Sequence, residues 1–231
     1  MQYNNEQKHT LKEIEAYIKE RMSSAASDVE VKTHDWKHAF RVRNWALKIA
    51  KGEKYENAFL LEVASLLHDI GRLQEKELKK PHAYVSALMV KEYLTLKNWL
   101  SDRDLRDIIY AIENHSRGGK GLLVAILQDA DRLDGLGAIG LIRGIQPKWY
   151  LPDYDPHAIV NPFKMSPEEI TDFFRENPQG ELVSYAVDHI AYQATWYDRM
   201  NTKTGRKLGK PLVEYTEAFL AELKREAEGS F

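Results

Sequence analysis

One run limits what this chain can fold into: Phe59-Leu-Leu-Glu-Val-Ala-Ser-Leu-Leu-His-Asp-Ile-Gly-Arg72. Leu60, Leu61, Ala64 and Leu67 recur at helical spacing, and His68 continues their stripe. The helix therefore carries an imidazole and the next carboxylate, Asp69, to its inner face near its end. Burying that pair without a partner costs free energy. A divalent metal satisfies both groups, because neutral imidazole and carboxylate are good ligands for it. The competing reading is a helix-end cap or a hydrogen-bonded pair.

The same helical pattern runs through nearly the whole chain. Residues 8–24 form a first amphipathic stretch with Leu11, Ile14, Tyr17 and Ile18, followed by a polar connection over 25–33. A helix is predicted at about 36–51, with Val42, Trp45, Ala46 and Ile49 inward, and a third at about 56–70. The fourth starts near Pro81, which suits a first helical turn, and runs to about Leu100. Ser101 and Asp104 resemble a capping box for a fifth helix ending at His115. The Gly118-Gly119 break precedes an apolar helix from about 121 to 136. From Gly144 to Ser166, Pro147, Pro152, Pro156 and Pro162 interrupt the pattern. A loop this long is often functional. Ser166-Pro167-Glu168-Glu169 restarts helix, and two more are predicted at about 180–200 and 208–228. Strand signals are absent. The expected fold is all-α, as a single domain over 1–231.

Composition narrows the function classes. The 231 residues are 43% hydrophobic and 29% charged, enough for one sizeable core. A net charge of −2 gives no global pull toward nucleic acid or anionic membrane. The absence of cysteine excludes disulfides, cysteine-type zinc sites and a thiol nucleophile. The opening Met-Gln-Tyr-Asn-Asn-Glu-Gln-Lys lacks an apolar signal core, and no apolar run is long enough to span a membrane. A cytoplasmic, soluble protein is expected.

Four of the eight histidines fall at separate helix ends or faces. His38 lies four residues before Val42, His68 ends the third helix, His82 opens the fourth and His115 closes the fifth. Asp131 lies in the apolar helix, four residues after Leu127. Imidazoles and carboxylates from different helices are how a metal site is built in a bundle core.

The order His38…His68-Asp69…Asp131 resembles the HD superfamily of metal-dependent phosphohydrolases. With His82 and His115 added, it resembles the dinuclear branch. The surrounding text is similar to the small, stand-alone bacterial members. The segments that carry this are His34-Asp-Trp-Lys-His-Ala-Phe-Arg-Val42, Leu66-Leu-His-Asp-Ile-Gly-Arg72 and Gln128-Asp-Ala-Asp-Arg-Leu-Asp-Gly-Leu-Gly-Ala-Ile-Gly140. The likeness runs from about His34 to Arg143 and more weakly to about Glu226. It departs later. Where the family usually has a Lys-Leu-rich helix and a late arginine, Asp188-His-Ile-Ala-Tyr-Gln-Ala-Thr-Trp-Tyr197 and Gly209-Lys-Pro-Leu212 stand. The acidic pair that follows the motif in guanosine-tetraphosphate hydrolases is also missing, which argues against that substrate.

Several assignments stay open at this level. His34-Asp35 spells the family's pair, but the x-x-Arg-Val context points to His38 as the first ligand. His34 and Asp35 then serve as helix caps or touch substrate. The last carboxylate is Asp129, Asp131 or Asp134. The Ala-Asp-Arg-Leu phrase favours Asp131, with Asp129 next. His82 and His115 hold a second metal or make structural hydrogen bonds.

Imidazole and carboxylate without thiolate suit Mn²⁺, Fe²⁺, Co²⁺, Ni²⁺ or Mg²⁺, and zinc also fits. The resemblance implies a first metal on His38, His68, Asp69 and Asp131. It implies a bridging Asp69 and a second metal on His82 and His115. Water activated by metal then replaces a protein nucleophile. Arg72, Lys79, Lys80, Arg117, Lys120 and Arg132 are candidate cations for phosphate, with Arg72 favoured beside His68-Asp69. Trp149, Tyr150, Tyr154 and Phe163 in the proline-rich loop either stack on a nucleobase, as part of a lid, or pin the loop to the core. The expected activity is hydrolysis of a phosphoester or phosphoanhydride, by family analogy in a nucleotide. The rivals are a mixed-valent di-iron oxygenase, which uses a similar six-ligand ladder, and a metal-stabilised binding module without turnover.

Overall fold

A computed structural model describes residues 3–24, 33–146, 169 and 186–229. Several helices begin where a short polar side chain accepts a backbone N–H that the first turn leaves open. Asn4 accepts from the Gln7 amide at 2.8 Å ahead of α1 (Asn5–Ser24). Asp35 accepts from the His38 amide at 3.0 Å ahead of α2 (Trp36–Gly52). Asn57 accepts from the Leu60 amide at 3.3 Å ahead of α3 (Ala58–Leu67). A 3-10 turn (Ile70–Leu73) and the short α4 (Glu75–Leu78) follow. Next come α5 (His82–Lys97) and α6 (Asp102–Glu113), the latter capped by Ser101 as expected. The remaining elements are α7 (Leu122–Asp134), α8 (Gly137–Ile145), α9 (Ala186–Ala194), a 3-10 turn (Thr195–Tyr197) and α10 (Lys203–Ala227). Among the described residues no strand occurs, and the fold is all-α.

The described residues divide into two compact units. The first comprises Met1–Asp131 with Asn201–Gly205, and its centre is α3. All ten α3 residues are buried, against α1, α2 and α6. Each buried Leu in it contributes about 2 kcal/mol from the area removed from water. A helix buried all round must also satisfy its polar residues. Glu62 does so by accepting from the Tyr3 hydroxyl, with Arg43 at 3.8 Å. Beyond α3 the chain turns tightly onto α5. A Cβ at Gly71 would stand 2.3 Å from the Ser86 amide nitrogen and 2.4 Å from the His82 carbonyl oxygen. Only glycine allows that approach. The Gly71 amide then donates to Ser86 Oγ at 2.9 Å. This contact brings the end of α3 alongside the start of α5.

The second unit comprises Arg132–Met200 with Arg206–Phe231. Within it α8 and α9 pack together. Arg143 Nη1 donates to Asp134 Oδ2 at 2.9 Å, and the Gly137 amide donates to Thr216 Oγ1 at 3.0 Å.

The structure shifts several expected boundaries, the largest being the start of the last helix at Lys203 rather than about 208. The third helix stops at Leu67 rather than near 70, because the chain tightens into the 3-10 turn. The apolar helix ends at Asp134, and α8 runs through Gly144, where the break was expected to begin. α4 was not anticipated, since four polar-rich residues carry no periodic signal. The proline-rich stretch and the helix restart at Ser166-Pro167 lie outside the described residues, apart from Gly144 to Gln146 and Glu169.

Candidate metal centre

Five helices deliver the proposed ligands to one place. His38 lies in the first turn of α2, and His68 and Asp69 follow α3. His82 opens α5 and His115 follows α6. Asp131 comes from α7. The side chains of His38, His68, Asp69 and His115 are buried, and that of Asp131 is 30% exposed.

Asp69 stands at the centre and divides the cluster. Its Oδ2 lies 2.5 Å from His34 Nδ1, 3.5 Å from His38 Nε2 and 3.7 Å from His68 Nε2. Its Oδ1 lies 3.4 Å from His115 Nε2 and 3.5 Å from His82 Nε2. Asp131 Oδ1 closes the Oδ2 side, 3.3 Å from His38 Nε2 and 3.8 Å from His68 Nε2. On the other side His82 Nε2 and His115 Nε2 are 3.2 Å apart, with Ser116 Oγ 3.1 Å from the former.

Helix geometry sets the tautomers. His68 Nδ1 donates to the Ser65 carbonyl at 2.8 Å, and His115 Nδ1 donates to the Ile112 carbonyl at 2.6 Å. A carbonyl only accepts, so both rings turn an Nε2 lone pair inward. His68 Nε2 and Asp69 Oδ1 are buried without a hydrogen-bond partner. Such groups are costly to leave unsatisfied.

The electrostatics also call for a cation. Burial alone would raise the Asp69 carboxyl, but His68, His34, Arg72 and His115 outweigh it and hold it well below the usual carboxylate range. Burial opposes ionisation of Asp131 too, and contacts from His38 and His68 again prevail. Burial pushes His82 down to about 3, with Arg72 and His115 adding to the fall and Asp69 and Asp131 opposing it. Two anionic carboxylates thus face inward-pointing imidazole nitrogens. This set fits a divalent ion of the imidazole and oxygen-binding class. Three ligand sets in the described residues have the spacing to hold one: His34-His38-Asp69, His38-His68-Asp131 and His68-Asp69-His115.

The three aspartates of α7 have separate roles in the structure. Asp129 accepts from the Asn201 and Thr202 amides, both at 2.7 Å, and from Thr202 Oγ1 at 2.8 Å. It anchors a turn. Asp134 pairs with Arg143. Asp131 alone faces His38 and His68.

The first pair resolves into different functions. Asp35 caps α2, as anticipated. His34 does not cap; its ring, 26% exposed, reaches Asp69 instead. Nothing in its spacing signals this, because residues 33–35 precede the regular helix. Glu75 was also missed. It accepts from Arg72 Nη1 at 3.1 Å, and its Oε2 lies 3.6 Å from His82 Nδ1.

Among the candidate cations, Arg72 lies nearest, with Nε 3.8 Å from Asp69 Oδ1. Burial would lower its guanidinium, but Asp69 and Glu75 raise it. Arg117 and Lys120 are exposed on the loop after His115, and the Lys120 amide donates to the Tyr110 hydroxyl. Lys79 and Lys80 are exposed after α4. Arg132 belongs to the second unit, where Nη1 donates to the Arg199 carbonyl at 2.7 Å. Trp149, Tyr150, Tyr154 and Phe163 lie outside the described residues.

Comparison with known proteins identifies the family. Residues 35–136 match the HD domain model. The uncharacterized protein YpgQ of Bacillus subtilis is 31% identical over 211 residues, 85% of each chain. The chain belongs to the HD family. Solved structures share the HD protein's fold at lower identity. A protein from Lactobacillus plantarum superposes with a TM-score of 0.71 at 24% identity, covering 99% of this chain and 100% of that one. An HD-superfamily hydrolase from Bacillus thuringiensis gives 0.67 at 21%, covering 96% and 98%. Bacillus subtilis YpgQ in complex with ADP gives 0.64 at 21%, covering 96% of both. No helix among the described residues is long and apolar enough to cross a membrane.

Proposed function

We propose that this HD protein is a metal-dependent phosphohydrolase that cleaves a phosphoester or phosphoanhydride bond of a nucleotide. The observation that carries the reading is the division of Asp69, one oxygen toward His38 and His68 and the other toward His82 and His115. His38, His68, Asp69 and Asp131 hold one divalent ion in this reading, and Asp69, His82 and His115 hold a second. When bound, such ions acidify water and offset charge on phosphoryl oxygens.

The chain's own residues do the rest. Asp69 orients both halves of the site, and His34 fixes the direction of its Oδ2 by donating from Nδ1. Arg72 supplies a fixed positive charge beside Asp69, where a phosphoryl oxygen gains negative charge. Arg117 and Lys120 are exposed on the loop that follows His115 and suit outlying phosphates. Water adds to phosphorus, the P–O bond to the leaving group breaks, and the leaving oxygen takes a proton. No serine nucleophile is required. ADP in the Bacillus subtilis relative supports a nucleotide as the substrate class. Trp149 and Tyr150, in the proline-rich stretch, are proposed to stack on its base.

The reading is tested by incubating the Mn²⁺-loaded protein with nucleoside mono-, di- and triphosphates in oxygen-18 water. Label in a phosphate-containing product, without dioxygen uptake, is expected. Label confined to the alcohol or sugar product rejects attack at phosphorus. Turnover that consumes dioxygen indicates the di-iron oxygenase, and retained metal with no turnover indicates the binding module.

A further inference from the structure

Three of the five imidazoles around the Asp69 carboxylate, those of His68, His82 and His115, are not held alike. His68 and His115 follow helices, so each finds a carbonyl three residues back for its Nδ1–H. His82 is the first residue of α5 and has no helical turn behind it. The acceptor that faces its Nδ1 is Glu75 Oε2, at 3.6 Å.

Glu75 also closes a ring of side chains. Arg72 Nε lies 3.8 Å from Asp69 Oδ1, and Arg72 Nη1 donates to Glu75 at 3.1 and 3.2 Å. Glu75 faces His82 Nδ1, and His82 Nε2 returns to Asp69 Oδ1 at 3.5 Å. Three of these four residues belong to the proposed site already. Glu75 is its outer member, with a side chain only 16% exposed. A carboxylate behind a ligating imidazole fixes both ring orientation and tautomer. α4 carries Glu75 into that place between the 3-10 turn and α5.

We propose that Glu75 is a positioning residue that holds His82 with its Nε2 lone pair toward Asp69 Oδ1 and ties Arg72 beside it. This rests on the reading of His82 as a ligand of the second ion. Two variants of the full chain test it, Glu75→Ala and Glu75→Gln, with thermal melting used to verify that both fold. In Mn²⁺ titration calorimetry, Glu75→Ala weakens the second ion about 10- to 100-fold and leaves the first nearly unchanged. Glu75→Gln, whose amide oxygen still accepts from Nδ1–H, retains much of the affinity.

The deciding readout is taken with diamagnetic Zn²⁺ bound, when an ion on Nε2 leaves the His82 proton on Nδ1. Wild type is expected to show that Nδ1–H shifted downfield and slow to exchange, Glu75→Gln to keep much of this, and Glu75→Ala to lose it. An unchanged Nδ1–H in Glu75→Ala overturns the proposal, whatever the ion affinities. If wild type binds a single ion at saturation, the two-ion reading fails by itself, and the Arg72 guanidinium nitrogen-15 shifts, which Glu75→Ala is expected to move, still decide the role of Glu75.

Discussion

Asp69 Oδ1 stands 3.4 Å from His115 Nε2, on the opposite side of the carboxylate from the oxygen that faces His38. One side chain therefore serves two imidazole groups that come from different helix ends. A capping aspartate would point back to backbone amides, and no such bond is made at Asp69.

The first prediction concerns the Oδ1 side. Wild type is expected to bind two Mn²⁺ per chain and the His82→Ala/His115→Ala double variant one, by elemental analysis after equilibrium dialysis. A double variant that still binds two ions would move both histidines out of the metal site.

Asp131 and Asp129 should separate cleanly. Asp131→Asn is expected to keep its melting temperature in metal-free form yet lose affinity for the first ion. Asp129→Ala leaves the Asn201 and Thr202 donors without their acceptor and is expected to cost about 3 kcal/mol of stability. The reverse pattern in denaturation and metal titration would exchange their roles.

The helices were legible because Leu60, Leu61, Ala64 and Leu67 keep a helical period, and all four are buried. The cluster of proposed ligands was legible because most of them sit at a helix boundary that proline, glycine or a polar cap announces. Asp131 was harder. Its helix is apolar on every side before Gln128, so periodicity could not choose between two carboxylates two residues apart; in the folded chain Asp129 accepts from Asn201 and Thr202 while Asp131 faces His38 and His68. His34 and Glu75 left no pattern at all. Each reaches the site by a local bend, one ahead of α2 and one in the short α4, and bends of this kind follow from tertiary packing.

Acid should destabilise the metal-free protein through His82. The fold holds it neutral down to about 3, against an ordinary value of 6.5, so the unfolded chain binds the extra proton between those values. Stability is then fully present above pH 6.5 and falls as pH drops toward 3, by at most about 1.4 kcal/mol per pH unit. Asp69 and Asp131, both held low, extend the loss below the ordinary aspartate value of 3.8. Urea denaturation of wild type and His82→Asn at a series of pH values measures this. An equally steep loss in both between pH 6.5 and 4 would remove His82 as the cause.

Gly71 should tolerate no side chain. In Gly71→Ala the new Cβ meets backbone atoms of Ser86 and His82 rather than flexible side-chain ends. A loss of about 2–3 kcal/mol is expected, together with weaker binding of the second ion, because α5 carries His82. A variant with wild-type stability and metal affinity would show that the contact is not needed to place α5.

The most direct measurement is the anomalous scattering of Mn²⁺ in crystals of the loaded protein. Two peaks about 3.5–4 Å apart are expected, one on the His38, His68 and Asp131 side of Asp69 and one on the His82 and His115 side, each reached by a different Asp69 oxygen. A single peak bound by both oxygens of Asp69, with His82 and His115 still paired to each other, would contradict it.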